Sequence, residues 1–275
     1  MKRAFHLELL CRVGQRTASG TSSLLASTGT PMPKILHWIV LLFELMIDVI
    51  CIPTLKRYDL LCRLCKVLIQ SEDAIDPSNI IIMDNGGSLL KSYYWRNLSS
   101  CFLQKKPEVI VPPENLGVAG SWNFFIQNFG RCVIANDDVV FSRQSLQCFS
   151  WAAMAYPHTV IFENNDPVNG FSTFFVNRPE IWLEMGGFDE LLNPAYFEDN
   201  DCRRRLLLSG NPVRAIPLTG WRHDNSSTLL ASDDSYKRMH WCLYKRNRAY
   251  YHLKWGGSPG REIYTQPFGS DVEQV

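Results

Sequence analysis

From residue 46 onward, the sequence alternates short apolar segments with longer segments whose apolar residues recur at helical spacing. The apolar segments are IDVICIPT (47–54), SNIIIMDNGG (78–87), PEVIVPPE (107–114), RCVIANDDVVF (131–141) and TVIFEN (159–164). Helical patterns lie at 57–71, 119–129 and 142–156. Because repeated β-α-β units build parallel sheets, this order predicts a single α/β domain over 46–275, with a mainly parallel sheet flanked by helices.

Composition and charge exclude several classes of protein. Of 275 residues, 46% are hydrophobic and 20% are charged, which argues against a wholly disordered chain, a collagen-like repeat or a multi-span membrane protein. Lys and Arg number 28 against 27 Asp and Glu. A protein that coats nucleic acid usually has a larger basic excess, so we expect no nucleic-acid partner and look for local charge clusters instead.

The nine cysteines are scattered along the chain, and only Cys62 and Cys65 are closely spaced. This pair lies within the apolar helical pattern LLCRLCKVLI, and no second pair follows at zinc spacing. The pattern favours buried free thiols in a reducing compartment over a metal or redox role.

Residues 1–45 differ from the rest of the chain. Within 1–34, small polar residues dominate and Glu8 is the one acid against five basic residues. This segment is interpreted as a disordered leader, a transit-like peptide, or upstream sequence wrongly included in the reading frame. We expect residues 1–45 to be disordered or weakly ordered, and a chain that begins at Met46 to fold and keep its activity.

The segment from Ile35 to Pro53 approaches a membrane span in apolar content. His37, Glu44 and Asp48 interrupt it, and an acid near the centre of a span costs about 2.5–3.5 kcal/mol. Its second half is rich in β-branched residues and ends in Pro-Thr, which favours a buried strand. A membrane-associated apolar helix at 35–45 stays open as an alternative.

Polar residues follow the predicted strands, where ligands bind in parallel sheets. The first strand ends at Pro53 and Thr54, and the second at Asp84. Asp84 alone is equally consistent with a cap on the next helix. Adjacent Asp137 and Asp138 inside an apolar strand repel each other and lose hydration, so a bound Mg²⁺ or Mn²⁺ is the simplest compensation.

Two further segments carry candidate catalytic groups. Glu198, Asp199 and Asp201 open a predicted helix, where one acid suffices as a cap and another could serve as a general base. His223 lies in the polar segment GWRHDNSST. A lone histidine is more often structural than a ligand, so its meaning depends on the company of Asp138 and Asp199.

Six segments, in this order, resemble glycosyltransferase family 2, the inverting nucleotide-sugar transferases of the GT-A fold. They are VICIPTLKRYDLL, IIMDNGGS, ENLGVAGSWN, VIANDDVVF, GGFDELLNPAYFEDNDCRRRL and WRHDNSST. The tail YYHLKWGGSPGREIYTQPF also resembles the end of some bacterial and viral members, so the resemblance covers about residues 46–268. It implies a Rossmann-like GT-A domain that transfers a hexosyl group from a nucleotide-diphosphate donor to a hydroxyl of a glycan, lipid-linked or protein acceptor.

The resemblance also implies a role for particular residues. The positions matched to donor binding are Pro53, Thr54, Arg57, Asp84, Asn115, Gly117, Asn123, Asn136 and Asp137. Asp138 ends a DxD-like motif whose first position is Asn136, and it is the expected ligand of Mn²⁺ or Mg²⁺ together with His223. Asp199, beside Glu198, is the expected general base. Gly187 and Trp221 are assigned to the acceptor. Trp221 and Trp255 could each stack on a sugar face, with burial in the core as the alternative for both.

A basic, aromatic-rich segment closes the chain as a helical tail over 236–275. Its cations are Lys237, Arg238, Lys245, Arg246, Arg248 and Lys254. Most of this face is expected to be solvated. Two alternatives stay open: one cation closes over the donor diphosphate, or the face contacts anionic lipid that carries the acceptor. We therefore expect a cytoplasmic protein, with peripheral membrane contact as the open alternative.

Three other functions compete with this interpretation. A sugar nucleotidyltransferase would need a glycine-rich phosphate loop after the first strand, and a Rossmann oxidoreductase would need G-x-G-x-x-G, but the sequence there is IPTLKRYDLL. An inactive relative that binds glycans or nucleotide sugars is also consistent with the fold. The joint presence of Asp138, Asp199 and His223 favours an enzyme over that inactive relative.

Overall fold

The structure is a computed structural model that describes residues 49–70, 75–102, 105–163, 171–211, 213–218, 220–224 and 234–269. The predicted leader (1–45), with its alternative apolar helix at 35–45, lies outside the described residues and stays a prediction. The boundary at residue 46 stays a prediction as well. No helix in the described part of the chain is long and apolar enough to cross a membrane.

The described residues form nine strands and seven α-helices. The strands are β1 Ile50–Thr54, β2 Ile80–Asp84, β3 Glu108–Ile110, β4 Val133–Ala135, β5 Val139–Val140, β6 Val160–Glu163, β7 Thr173–Phe175, β8 Val213–Ile216 and β9 Arg222–His223. The helices are α1 Tyr58–Gln70, α2 Tyr93–Ser99, α3 Gly117–Phe129, α4 Arg143–Ala155, α5 Pro179–Glu184, α6 Glu198–Leu208 and α7 Asp234–Trp255. Short 3₁₀ turns lie at Pro77–Asn79, Leu89–Lys91, Glu190–Leu192 and Pro267–Gly269.

Seven of the strands form one sheet in the order β3-β2-β1-β4-β7-β6-β8. Four neighbouring pairs are parallel, and β7 runs antiparallel to both β4 and β6. The predicted α/β class with a mainly parallel sheet is confirmed. The predicted strand 131–141 is split, because the chain turns at residues 136–138 and β5 leaves the sheet to pair with β9.

Alternating side chains along the strands explain why helices cover both faces. Ile50 and Ile52 on β1 pack into one core with α1, α2 and α4, whereas Cys51 packs into the opposite core with α3, α5 and α6. The same alternation holds on β2, where Ile82 faces the first core and Met83 the second. Successive strand residues point to opposite faces, so a strand buried on both sides is apolar throughout.

A third, smaller core fixes the long helix α7. Tyr251 and Trp255 of α7 are fully buried against Leu192 and Phe197, which precede α6. The start of α6 therefore lies against the C-terminal helix as well as the sheet, and this arrangement forms part of the site.

The described cysteines are mostly core residues. Cys51, Cys62, Cys65, Cys132 and Cys202 are buried free thiols, Cys148 is half-buried, and Cys101 and Cys242 are exposed. Burial raises the pKa of Cys62 to about 11. A buried thiol with a raised pKa is a poor nucleophile and a poor metal ligand, so the closely spaced pair Cys62 and Cys65 belongs to the core.

Candidate functional site

A cavity of about 1060 Å³ opens where β1 and β4 end. The predicted site residues that line it are Pro53, Thr54, Asn115, Gly117, Asn136, Asp137, Asp138, Glu198, Asp199, Trp221 and His223. Arg57, Asp84, Asn123 and Gly187 are not among its lining residues. The fold thus brings together side chains from widely separated parts of the sequence, at the sheet edge where parallel α/β proteins bind ligands.

The floor of the cavity holds a hydrogen-bonded pair across two adjacent strands. The Thr54 hydroxyl, at the end of β1, donates to Asp137 Oδ2 at 2.6 Å, just after β4. Asp137 is only 8% exposed. Burial raises the pKa of Asp137 to about 7, the Thr54 hydrogen bond opposes this shift, and the charge of Asp138 adds to it. A cation beside this buried carboxyl would favour its ionised form.

The β5–β9 ribbon joins His223 to the acidic turn. In this two-stranded ribbon, Val139 of β5 pairs with His223 of β9. Asp138 directly precedes Val139, so this pairing brings His223 close to Asp138. The backbone N–H of Asp224 donates to the Asp138 carbonyl at 2.9 Å. His223 Nε2 then lies 3.1 Å from Asp138 Oδ1. The ribbon explains how a histidine 85 positions further along the chain reaches this carboxylate.

One carboxylate oxygen and one imidazole nitrogen form a donor set that suits Mn²⁺. Within the described ranges, no group of three or more His, Cys, Asp or Glu side chains is positioned to hold a metal ion. Asp138 and His223 therefore fit a cation that takes its remaining ligands from a bound anion and water. They do not form a closed protein cage.

The N-terminus of α6 carries the two adjacent acids under backbone strain. Tyr196 and Phe197, the two residues before α6, have φ angles of 77° and 73°, a left-handed conformation that is uncommon for non-glycine residues. Glu198 is 6% exposed, and its Oε2 has no hydrogen-bond partner among the described residues. Burial, and then the charge of Asp199, raise the pKa of Glu198 well above its usual value.

Asp199 differs from Glu198 in its surroundings. It is half-buried, lines the cavity, and accepts a hydrogen bond from the Asn200 backbone N–H at 2.7 Å. The two neighbours therefore present different chemistry: Glu198 favours its protonated form, and Asp199 offers an accessible oxygen.

The loop before α6 packs closely against the start of α3 and shapes part of the cavity lining. Gly117 begins α3 with a φ of 68°, and a Cβ there would lie 2.8 Å from the Pro194 carbonyl oxygen. The N–H of Val118 donates to that same oxygen at 2.8 Å. Asn115 accepts from the Gly117 N–H at 2.9 Å. Glycine at 117 thus lets the loop before α6 lie directly on the N-terminus of α3.

The tryptophans assigned to sugar stacking have different environments. Trp221 is half-buried in the cavity wall, and its indole N–H donates to the Thr173 hydroxyl at 3.0 Å. Trp255 is fully buried and donates to Asp201 at 2.8 Å. Burial in the core, the alternative at sequence level, therefore holds for Trp255. The acceptor role of Trp221 stays a prediction.

Asp84 shapes the turn that follows β2. Its carboxylate accepts hydrogen bonds from the Tyr58 hydroxyl at 2.9 Å and from the backbone N–H groups of Gly86, Gly87 and Leu89 at 3.1, 3.0 and 2.8 Å. These four donors account for a buried carboxylate at this position. Its assignment to the donor base stays a prediction.

Arg57, Asn123 and Gly187 also have partners within the protein. Arg57 pairs with Asp59 through contacts of 2.9 and 2.8 Å. The Asn123 side-chain nitrogen donates to the Phe188 carbonyl at 2.9 Å, and its side-chain oxygen accepts from the Phe188 backbone N–H at 2.7 Å. A Cβ at Gly187 would lie 2.5 Å from Asn123 Oδ1, so the glycine allows this contact between α3 and the loop. The donor and acceptor roles assigned to these three residues stay predictions.

Helix α7 contributes three aromatic side chains that the sequence does not assign to the site, together with Arg248, one of the cations considered for contact with the donor diphosphate. Tyr236, His240, Tyr244 and Arg248 line the cavity. Their spacing of four residues was the available signal, but the basic residues between them favoured a solvated face. Lys254 also departs from that expectation, because it is 6% exposed and its Nζ lies 2.7 Å from carboxylate oxygens of both Asp189 and Asp201.

The chain matches known proteins in three-dimensional structure but not in sequence. No family model matches the chain, and no curated protein matches its sequence significantly. Among solved structures, the mannosyltransferase PcManGT from Pyrobaculum calidifontis, in complex with GDP-Man and Mn²⁺, matches with a TM-score of 0.49 at 13% identity. That alignment covers 66% of this chain and 62% of the mannosyltransferase.

Two further structures match at a similar level. Residues 1–349 of S. aureus TarS give a TM-score of 0.45 at 11% identity, over 74% of this chain and 72% of that one. GalNAc-T7 with UDP, GalNAc and Mn²⁺ gives 0.49 at 9% identity, over 77% of this chain and 51% of GalNAc-T7. The chain thus spans less than two thirds of PcManGT and about half of GalNAc-T7. At these identities and TM-scores, any function has to be supported by the site itself.

Proposed function

We propose that this chain is a metal-dependent inverting glycosyltransferase that moves a hexosyl group from a nucleotide-diphosphate donor to an acceptor hydroxyl. The observation that carries the proposal is the convergence of chemically distinct groups on one cavity. The acidic turn with His223 forms one part of its lining, and Asp199 at the start of α6 forms another. Such a cavity offers a site for an anionic leaving group and a site for a base.

The donor end of the cavity supports a cation and a diphosphate. Asp138 and His223 would hold Mn²⁺ or Mg²⁺, because their oxygen and nitrogen atoms face each other at 3.1 Å. When bound, the metal acts as a Lewis acid and offsets the negative charge that develops on the leaving diphosphate. Thr54 orients Asp137 through its 2.6 Å hydrogen bond and so keeps a second carboxyl beside this position.

The other end supports general-base catalysis by Asp199. It would remove the proton from the acceptor hydroxyl as that oxygen attacks the anomeric carbon. Glu198 is poorly suited to this role, since burial and its neighbour favour its protonated form. A single in-line displacement inverts the configuration at the anomeric carbon, so no nucleophilic side chain is needed.

A panel of UDP-, GDP- and dTDP-sugars tests this proposal. We expect at least one to bind, and to be hydrolysed or transferred, in the presence of Mn²⁺, with activity lost on chelation and restored by added metal. His223→Ala should weaken the response to Mn²⁺. His158→Ala, an exposed histidine that does not line the cavity, is the matched control. If no sugar nucleotide in the panel binds and none is turned over, the proposed enzyme activity is wrong.

A further inference from the structure

Helix α7 contacts different parts of the protein along its length. Near its C-terminal end, Asn247, Tyr251, Lys254 and Trp255 are buried and fix the helix in place. Between residues 236 and 248, Tyr236, His240, Tyr244 and Arg248 recur every fourth residue, so these side chains lie along one side of the helix, and all four line the cavity. The C-terminal end therefore anchors α7, and the part that precedes it lines the cavity.

Tyr196, from the strained turn before α6, packs against this stripe of α7. Its ring centroid lies 4.9 Å from that of His240 and 5.5 Å from that of Tyr244, both edge-to-face. Tyr236 stacks on His240 at 6.2 Å. We call Tyr196, Tyr236, His240, Tyr244 and Arg248 the aromatic wall. Its four rings are half-buried, so each keeps part of its surface accessible.

Ring contacts join the aromatic wall to the turn that carries the candidate base, because His240 and Tyr244 both pack on Tyr196. Tyr196 precedes Asp199 by three residues, and both line the same cavity. A general base acts only on a hydroxyl within hydrogen-bond reach, so the acceptor has to lie on the side of Asp199. The residues that accompany Asp199 on that side therefore determine which acceptor fits.

We propose that the aromatic wall is the acceptor subsite and that it binds a sugar ring of a glycan, an inference that rests on the proposed function. A pyranose has an apolar C–H face and a rim of hydroxyl groups. Every member of the wall has a polar atom at its tip, and four of the five also have a flat ring, which matches both features of a sugar. Arg248 adds five N–H donors for ring oxygens.

Two other ligands fit the wall less well. An acyl chain gains nothing from the hydroxyl, imidazole and guanidinium groups, which would lose hydration beside it. A nucleobase could stack on the same rings, but the donor would then lie against α7 rather than near Thr54 and the acidic turn. This second alternative makes a different prediction, because ring removal would then weaken nucleotide binding.

Anisotropy titrations with fluorescently labelled oligosaccharides test the proposal on the full chain. The labelled set covers hexoses, N-acetylhexosamines and uronic acids, and every protein sample is also titrated with UDP and GDP in Mn²⁺. The variants are Tyr244→Ala, His240→Ala and Tyr244→Phe. Tyr94→Ala is the matched control, since Tyr94 is 45% exposed on α2 and does not line the cavity. His240→Ala is included because Tyr244 also packs on Phe197 at 5.3 Å.

We expect at least one oligosaccharide to bind, Tyr244→Ala and His240→Ala to weaken it on the order of tenfold, and nucleotide affinity to stay unchanged. Tyr244→Phe, which keeps the ring and removes only the hydroxyl, should weaken binding less than Tyr244→Ala, and Tyr94→Ala should bind like the wild type. The proposal is overturned if a nucleotide binds but no oligosaccharide does, or if the ring variants weaken the nucleotide instead. If an oligosaccharide binds but no nucleotide does, the glycan site stands and the proposed transfer reaction fails.

Discussion

Asn247 holds the loop that carries the start of α6, and replacing it should disturb stability and catalysis together. Its side chain is fully buried on α7. The amide nitrogen donates to the carbonyls of Leu192 and Ala195, both at 2.9 Å, with longer contacts of 3.3 and 3.4 Å to Asn193 and Tyr196. One residue of the C-terminal helix thus ties down the segment that ends in Glu198 and Asp199.

The expected loss follows from the hydrogens that this amide can donate. An NH₂ group has two, so the two contacts at 2.9 Å are the ones it satisfies fully. In Asn247→Ala the two carbonyls lose their donor inside the protein. The Leu192 contact is buried and the Ala195 contact is part-buried, so the penalty for an unsatisfied buried acceptor, about 1–3 kcal/mol, applies in full only to Leu192. We therefore expect the free energy of unfolding to fall by about 1–3 kcal/mol. Asn247→Asp keeps the acceptor oxygen but removes the donor, and should lose a similar amount.

Urea unfolding measures the stability, and single-turnover transfer measures the catalytic effect. We expect the transfer rate to fall at least tenfold, because the strained turn at Tyr196 and Phe197 loses its anchor. Donor affinity should fall less than the transfer rate, since β1, β4 and the β5–β9 ribbon do not contact Asn247 through hydrogen bonds among the described residues. Asn128→Ala is the control, because exposed Asn128 donates only within its own helix α3. A loss below 0.5 kcal/mol with normal transfer would refute the anchoring role.

Two further predictions concern buried charges. Because the pKa of Glu198 is raised in the folded state by burial and by Asp199, its contribution to stability is lost as pH rises above the unfolded value of about 4.3. Glu198→Gln should therefore be more stable than the wild type at pH 8 and equal to it near pH 4, and a constant difference across pH unfolding curves would argue against this. Lys254→Met removes the ammonium group that Asp189 and Asp201 share; Asp201 keeps Arg205 at 2.9 Å, so Asp189 loses its cation and we expect a loss of about 3 kcal/mol in urea unfolding. Exposed Lys245→Met is its control, and equal effects of the two changes would contradict the prediction.

The fold could be predicted from the sequence where apolar runs end in turn residues. The predicted strands at 47–54 and 78–87 correspond to β1 and β2, and the predicted helix at 57–71 to α1. The antiparallel direction of β7 could not be predicted, because a buried strand has the same apolar pattern in either direction. The split of the segment 131–141 depends on pairing with β9, far along the chain.

The site could be predicted only in part, for a similar reason. Asp138 stands out in the sequence as an acid inside an apolar strand, and Asp199 and His223 stand out by their place in segments that resemble the family, and all three line the cavity. Asn247 does not stand out, because its partners at residues 192–196 are defined only once α7 has packed. The aromatic wall carries a spacing of four residues along α7, but nothing in the sequence indicates which face of that helix meets the cavity.

The division of labour between the two ends of the cavity is the central claim, and one paired measurement tests it most directly. Donor affinity by calorimetry and single-turnover transfer are measured on Asp199→Asn and Asp138→Ala in Mn²⁺. We predict that Asp199→Asn abolishes transfer and leaves donor affinity nearly intact, whereas Asp138→Ala weakens donor binding itself. Equal and mild effects of both changes would show that these residues do not have the roles proposed.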